Sequence, residues 1–334
     1  MITANSHSAQ PKSWQMHWRE AVRDPRELLE MLALPHLAAQ ISDRAAAQFP
    51  MRVPMGFIAK MRRGDANDPL LRQVLPVLEE DQLAEGFSLD AVGDAAAKGG
   101  TGIIHKYQAR ALLITTGSCA IHCRYCFRRH FPYAEETAAS QHWSEAIAYL
   151  KSDPSITELI LSGGDPLSLA TNKLKELTDA LVEVPHLKRL RIHTRLPVVL
   201  PERVDAELLA WIDGLRWPVT VVVHANHANE LCENVAEAVS RLRRHDATVL
   251  NQAVLLKGVN DSLAEQVQLS ERLFEIGVLP YYLHQLDKVQ GAAHFQIDDQ
   301  QARDIHRGMM QALPGYLVPK LVQEIPGEAS KTPL

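Results

Sequence analysis

Cys119, Cys123 and Cys126 stand in the run Gly117-Ser118-Cys119-Ala120-Ile121-His122-Cys123-Arg124-Tyr125-Cys126, a CxxxCxxC cluster within eight residues. Thiolates are soft ligands that select iron–sulfur clusters, zinc or copper(I). Three of them hold three irons of a four-iron, four-sulfur cluster and leave the fourth iron open to a non-protein ligand. Zinc is the competing occupant, but a structural zinc site takes four ligands, usually as two separated half-sites. The fourth thiol, Cys232, stands alone, so zinc would need His122 or His130 to complete it. Cys232 falls in the apolar-periodic run from Leu231 to Leu242 and reads as a buried helix residue.

The elements that position these thiols follow from the texture of the chain. Its 334 residues, 46% of them hydrophobic, suffice for one large core or two modest ones. From about Ser13 to Ala97 apolar residues recur at three-to-four spacing over Glu20–Leu34, Ala38–Phe49 and Leu83–Ala97, which predicts a helical N-terminal region over 1–100. After Gly99-Gly100 short β-rich runs alternate with amphipathic stretches, the pattern of βα units around a parallel sheet in an α/β fold. The expected strands are Ala111–Thr115, Glu158–Ser162, Arg189–Thr194, Thr220–His224, Thr248–Leu255 and Pro280–Gln285. Six such units make a TIM-like barrel or part of one, a second region over 101–334, and chemistry belongs in the loops after the strands' C-terminal ends. The cysteine run follows the first strand, Gly163-Gly164-Asp165-Pro166 the second, His193-Thr194-Arg195 the third and His224-Ala225-Asn226-His227 the fourth. Asn251-Gln252 lies in the fifth, and His284-Gln285-Leu286-Asp287 closes the sixth.

The formal net charge of −5 argues against a nucleic-acid surface, while Arg124, Arg128 and Arg129 make a local patch suited to a small anion. No apolar run approaches the roughly 20 residues of a membrane span, and Met1–Gln15 lacks the apolar stretch of a signal peptide. A cytoplasmic protein with reduced thiols and no membrane partner is expected.

A CxxxCxxC loop after one strand and a GGD loop after the next resemble the radical S-adenosylmethionine superfamily, whose fold is a partial (β/α)6 barrel. The resemblance implies that S-adenosylmethionine chelates the open iron, with Gly163, Gly164 and Asp165 at its amino acid end and Tyr125 against its adenine. Glycines suit that place because a Cβ would block close backbone approach. The runs Cys126-Phe127-Arg128-Arg129, Asn251–Asn260, Tyr281–Asp287 and Gly315-Tyr316-Leu317-Val318-Pro319 narrow the likeness to the lysine 2,3-aminomutase family, from about Trp14 onward.

That family adds pyridoxal 5′-phosphate, joined as a Schiff base to a lysine in a Pro-Gly…Lys-x-Pro run. The matching run is Pro326-Gly327-Glu328-Ala329-Ser330-Lys331-Thr332-Pro333, so the resemblance makes Lys331 the catalytic, cofactor-bearing amine. Glu-Ala-Ser stands here where the family often has glycines, which predicts a stiffer loop. The resemblance further implies that Arg110 and Gln252 hold the cofactor phosphate, that Arg128 takes the substrate carboxylate, and that Asp287 and Glu324 take the side-chain ammonium of lysine. Longer members bind a structural zinc through a C-terminal cysteine cluster and a cysteine near Asn260–Ser262. This chain has Ser262 there and runs only to Leu334, so no structural zinc is expected. Short members of this kind resemble the bacterial type that makes (R)-β-lysine for translation elongation factor P. The implied partners are L-lysine, a flavodoxin or ferredoxin as electron donor, and an elongation factor P ligase. An aminomutase of arginine or glutamate, a radical enzyme without pyridoxal phosphate, and a zinc-bound interaction module are the alternatives.

Overall fold

The computed structural model describes residues 13–137 and 143–334. Its centre is a ten-stranded sheet whose strands lie side by side in chain order. They are β1 (Lys98–Gly100), β2 (Ile103–Tyr107), β3 (Arg110–Thr116), β4 (Glu158–Gly163), β5 (Arg189–Thr194), β6 (Val219–Val223), β7 (Thr248–Val254), β8 (Leu279–His284), β9 (Lys320–Gln323) and β10 (Thr332–Pro333). Strands β3 through β9 are parallel. The β1–β2 hairpin joins one edge of this run antiparallel, and β10 joins the other. The six expected strands are β3–β8, and the sheet extends beyond them at both edges.

Local sequence explains the connecting helices. In Glu233–Arg244 the buried residues Val235, Ala238, Val239 and Leu242 fall on one face, and Arg241, Arg243 and Arg244 sit at the negative end of the helix dipole. Leu263–Glu275 opens with a capping box: the Ser262 hydroxyl accepts from Glu265 N at 3.3 Å, and the Glu265 carboxylate accepts from Ser262 N at 3.2 Å. Ser262 is thus a helix cap. Cys232 corrects its sequence reading. It is the half-buried residue just ahead of the 233–244 helix rather than a buried one inside it.

The N-terminal region is helical at Trp14–Arg19, Pro25–Met31, Asp43–Gln48, Met55–Ile58 and Pro69–Arg72. The expected helix over Leu83–Ala97 does not form beyond a single 3-10 turn, Ala95–Ala97. Gly86 and Gly93 take φ of 78° and 70°, and the Asp90 carboxylate draws in the backbone N–H groups of Asp94 and Ala95. The segment turns instead, and Ser88 pairs with the loop after β8 through Ser88 N to Lys288 O and Gln290 N to Ser88 O, both 2.9 Å. One hydrophobic core runs from Leu28, Leu29 and Phe57 into Leu113, Leu161 and Val221 of the sheet.

Two contacts decide the shape. Tyr107, at the end of β2, donates to Glu324 Oε1 at 2.5 Å, and Lys106 Nζ lies 3.5 Å from the same oxygen. Because Glu324 directly follows β9, these bonds bring the two ends of the sheet together and curl it into a partial barrel. On the N-terminal side Glu80, with no exposed side-chain surface, pairs with both Arg124 and Arg129 at 2.6 Å. Glu80→Gln leaves two buried guanidinium groups uncompensated and is expected to destabilise the protein by about 3–5 kcal/mol, measured by urea unfolding of the cluster-free protein.

Candidate active site at the strand C-termini

The thiols sit in a loop that leaves β3 and is stitched to the N-terminal region. His122 N donates to Arg52 O at 3.1 Å, and Arg124 N donates to Gln73 O at 2.9 Å. The glycines of the next loop fit against this one. A Cβ on Gly164 would lie 2.5 Å from Ser118 O, and one on Gly163, whose φ is 118°, would lie 2.6 Å from Thr116 O. The close approach that requires glycine here is therefore to the cysteine loop itself. The Asp165 carboxylate is occupied within the protein, accepting from Thr194 Oγ1, Arg195 N, Leu196 N and Leu167 N. Burial nevertheless pushes it up to about 6.

Cys119, Cys123 and Cys126 open onto one cavity of about 320 Å³, together with Tyr125, Gly163 and Gly164. Burial pushes the Cys126 thiol up to about 11 and holds Cys119 well above the ordinary thiol range, with the neighbouring thiols adding to both. Three mutually interacting thiols on one wall match the donor set of a four-iron cluster and raise the free energy of the metal-free thiolates, which iron binding relieves. His122 and His130, the imidazoles a zinc site would recruit, are bonded to Pro50 O and Gln290 O instead.

The same cavity also takes in the remaining expected residues. Lys331, Arg110, Gln252, Asp287 and Glu324 line this same cavity, as does Arg128. Lys331 Nζ donates to Glu324 Oε2 at 2.6 Å and lies 5.8 Å from the centroid of the Tyr282 ring. Arg110, the first residue of β3, stands 4.5 Å over the Tyr107 ring and has no ion pair among the described residues. That leaves a free guanidinium lining the same cavity as the Lys331 amine and Gln252, a set that fits a phosphorylated aldehyde cofactor. Arg128 is partly neutralised: Nε donates to Asp94 Oδ2 at 2.7 Å and Nη1 to Ser162 Oγ at 3.2 Å. Its Nη2 has no protein partner among the described residues.

The two acids expected at the ammonium end differ. Burial raises both, but Lys331 and Tyr107 outweigh it at Glu324 and hold that carboxyl below its usual range. Asp287 has no such bond among the described residues, and burial pushes it up to about 7. Asp287 is the open carboxylate, whereas Glu324 already serves Lys331, Tyr107 and Lys106.

Sequence reasoning assigned no role to several residues that shape the cavity. Buried Nε2 atoms of His193, His224 and His284, at the ends of β5, β6 and β8, have no protein partner among the described residues. Burial keeps these imidazoles neutral, His224 lowered to about 3. Arg195, Glu230 and Gln73 form a buried network against Cys123. His193, Arg195 and His224 were visible as polar residues at strand ends, and Glu230 as the fourth residue of a cap motif; Gln73 carries no local signal.

Comparisons with known proteins agree with this geometry. Residues 100–193 match the model of a 4Fe-4S single cluster domain. The L-lysine 2,3-aminomutase of Escherichia coli K12 is 46% identical, covering 100% of this chain and 97% of that protein. The chain belongs to the lysine 2,3-aminomutase family of radical S-adenosylmethionine isomerases. Within the family, the L-lysine 2,3-aminomutase of Haemophilus influenzae is 45% identical over 96% of this chain and 95% of that protein. Among solved structures, Streptococcus suis SuiB bound to S-adenosylmethionine aligns with a TM-score of 0.47 at 13% identity, covering 67% of this chain and 52% of that one. That likeness is too distant to bear on the site.

The Asp287 carboxyl gives a pH signature. Its folded value of about 7 lies above its ordinary 3.8, so the folded state binds the proton more tightly. The resulting stabilisation is full below the unfolded value and is lost as pH rises through about 7. Urea unfolding of the cluster-free protein is expected to show wild-type stability declining between about pH 4 and 7 relative to Asp287→Asn.

Proposed function

We propose that this protein is a 2,3-aminomutase that converts L-lysine to (R)-β-lysine, using a four-iron cluster, S-adenosylmethionine and pyridoxal 5′-phosphate. The observation that carries this reading is the single cavity lined both by Cys119, Cys123 and Cys126 and by Lys331, Asp287 and Glu324. When bound, the cluster and S-adenosylmethionine supply a hydrogen-abstracting radical, and pyridoxal phosphate supplies a π system across which the amino group migrates. The protein's own residues do the rest. Lys331 offers the amine for the cofactor, and Arg110 and Gln252 its phosphate contacts. Arg128, through Nη2, takes the substrate carboxylate, and Asp287 takes the side-chain ammonium. The Glu324 carboxylate stays beside Lys331 as its counter-ion. The open Asp287 carboxylate suits a cationic side chain and disfavours glutamate.

The region over 1–100 and the barrel over 101–334 act as one unit in this reading, since Gln73 and Glu80 of the first hold the cysteine loop of the second. An elongation factor P ligase is the proposed consumer of the product, and a flavodoxin or ferredoxin in the cytoplasm the proposed electron source.

The deciding assay is anaerobic: iron, sulfide and pyridoxal phosphate are reconstituted, dithionite, S-adenosylmethionine and labelled L-lysine added, and products separated by chiral chromatography. (R)-β-lysine is the expected product; a fully loaded protein that yields neither it nor 5′-deoxyadenosine refutes the assignment. Lys331→Ala is expected to lose borohydride-trapped pyridoxal phosphate while keeping its iron and sulfide. Asp287→Asn removes a charged hydrogen-bond partner worth about 1.5–3 kcal/mol, so KM for lysine should rise roughly 10- to 100-fold.

A further inference from the structure

Arg195 follows β5 and points its guanidinium between the cysteine loop and the N-terminal region. Nη1 donates to Cys123 Sγ at 2.6 Å, while Nη2 donates to Gln73 Oε1 at 2.7 Å and Glu230 Oε2 at 2.9 Å. The rings of Phe57 and Tyr125 enclose it, their centroids 5.6 and 5.7 Å from the guanidinium carbon. Glu230, fully buried, is held from the other side by Gln73 Nε2 at 3.1 Å, Asn226 N at 2.9 Å and His227 N at 3.2 Å. An ion pair with Glu230 explains Nη2 but not Nη1, whose one acceptor among the described residues is the Cys123 sulfur. The result is a fixed dipole in a water-poor site, its positive end on the sulfur and its negative end behind.

We infer that the Arg195–Glu230 pair sets the reduction potential of the cluster held by Cys119, Cys123 and Cys126, an inference that rests on the cluster reading of those thiols. Reduction transfers one electron from an external one-electron reductant to the oxidised cluster. No bond forms or breaks, and the cluster becomes one unit more negative. A guanidinium on a thiolate ligand stabilises the more negative state, by Coulomb attraction and by a charge-assisted hydrogen bond to sulfur. Glu230 opposes that effect from a greater distance and keeps the guanidinium oriented. Arg195 is therefore a positioning and tuning residue that acts through Cys123. Lysine could not replace it fully, because a single ammonium cannot serve the sulfur and the carboxylate in this fork geometry.

The test is a potentiometric titration of the anaerobically reconstituted full-length protein with dithionite and redox mediators, followed by the electron paramagnetic resonance signal of the reduced cluster. Arg195→Gln is expected to make reduction harder by at least tenfold in the reduced-to-oxidised ratio at a fixed applied potential, about 59 mV for one electron. Glu230→Gln is expected to shift the potential the opposite way, and Arg195→Lys to fall between Arg195→Gln and wild type. Iron and sulfide analysis separates the two levels of the argument: wild-type protein that assembles no cluster refutes the cluster reading itself. With clusters assembled, unmoved potentials, or shifts of the same sign in Arg195→Gln and Glu230→Gln, overturn the tuning role. If Arg195→Gln fails to take up iron, Glu230→Gln decides alone: a positive shift sustains the inference, and none or a negative one overturns it.

Discussion

Glu80 has no exposed side-chain surface and lies between two arginines of the cysteine loop, Arg124 and Arg129. Arg124 is the residue between Cys123 and Tyr125, so the ion triad fixes the backbone from which the second and third thiols project. A buried guanidinium paired with such a carboxylate is tolerated best where its remaining N–H groups also find acceptors. Arg124 meets that condition by also donating to Phe49 O and Ala45 O. Two segments of the N-terminal region, the helix Asp43–Gln48 with its cap Phe49 and the turn at Glu80, are thereby tied to one side chain of the loop. The helices before the sheet are the outer half of the thiol site, and the barrel is the inner half.

The second constraint is at the seam. A sheet of parallel strands in chain order has two free edges, and the polar groups exposed there invite pairing with other chains. Here the β1–β2 hairpin covers one edge and β10 the other, and Tyr107, Lys106 and Glu324 join across the gap. The same Glu324 receives Lys331. Closure of the barrel and placement of the amine thus share a single carboxylate, which explains why Asp287, without such duties, is the acid left open to the cavity.

Much of this was legible in the sequence, and the limits have physical causes. The inner strands β3–β8 were readable because β-branched apolar runs alternate with amphipathic helices, and parallel strands buried on both faces carry that signature strongly. Strand β9 was not, being four residues long. The segment Leu83–Ala97 has helical spacing, but Gly86, Gly93 and the Asp90 side chain redirect its backbone, a local effect that periodicity does not register. At the site, the spacing of the three thiols pointed to an iron–sulfur cluster, and only the family resemblance of its run singled out Lys331. The Arg195–Cys123 contact joins residues 72 apart, and Gln73 reaches Arg195 across 122. Such pairings are created by the closing of the sheet and leave no trace in local spacing.

The strand that carries Lys331 into place is the shortest in the sheet. β10 meets β9 through two register pairs, Thr332 with Gln323 and Pro333 with Val322, and among the described residues it has no neighbour strand on its other side. Proline contributes no N–H to that ladder. Native-state opening is least expensive at such edges and most expensive in the central strands. The wall of the cavity around Lys331 can therefore come away as a small unit of local unfolding while β3–β8 and the thiol loop keep their structure. Moving Lys331 therefore costs its Glu324 ion pair and two ladder pairs, and not the packing of β3–β8.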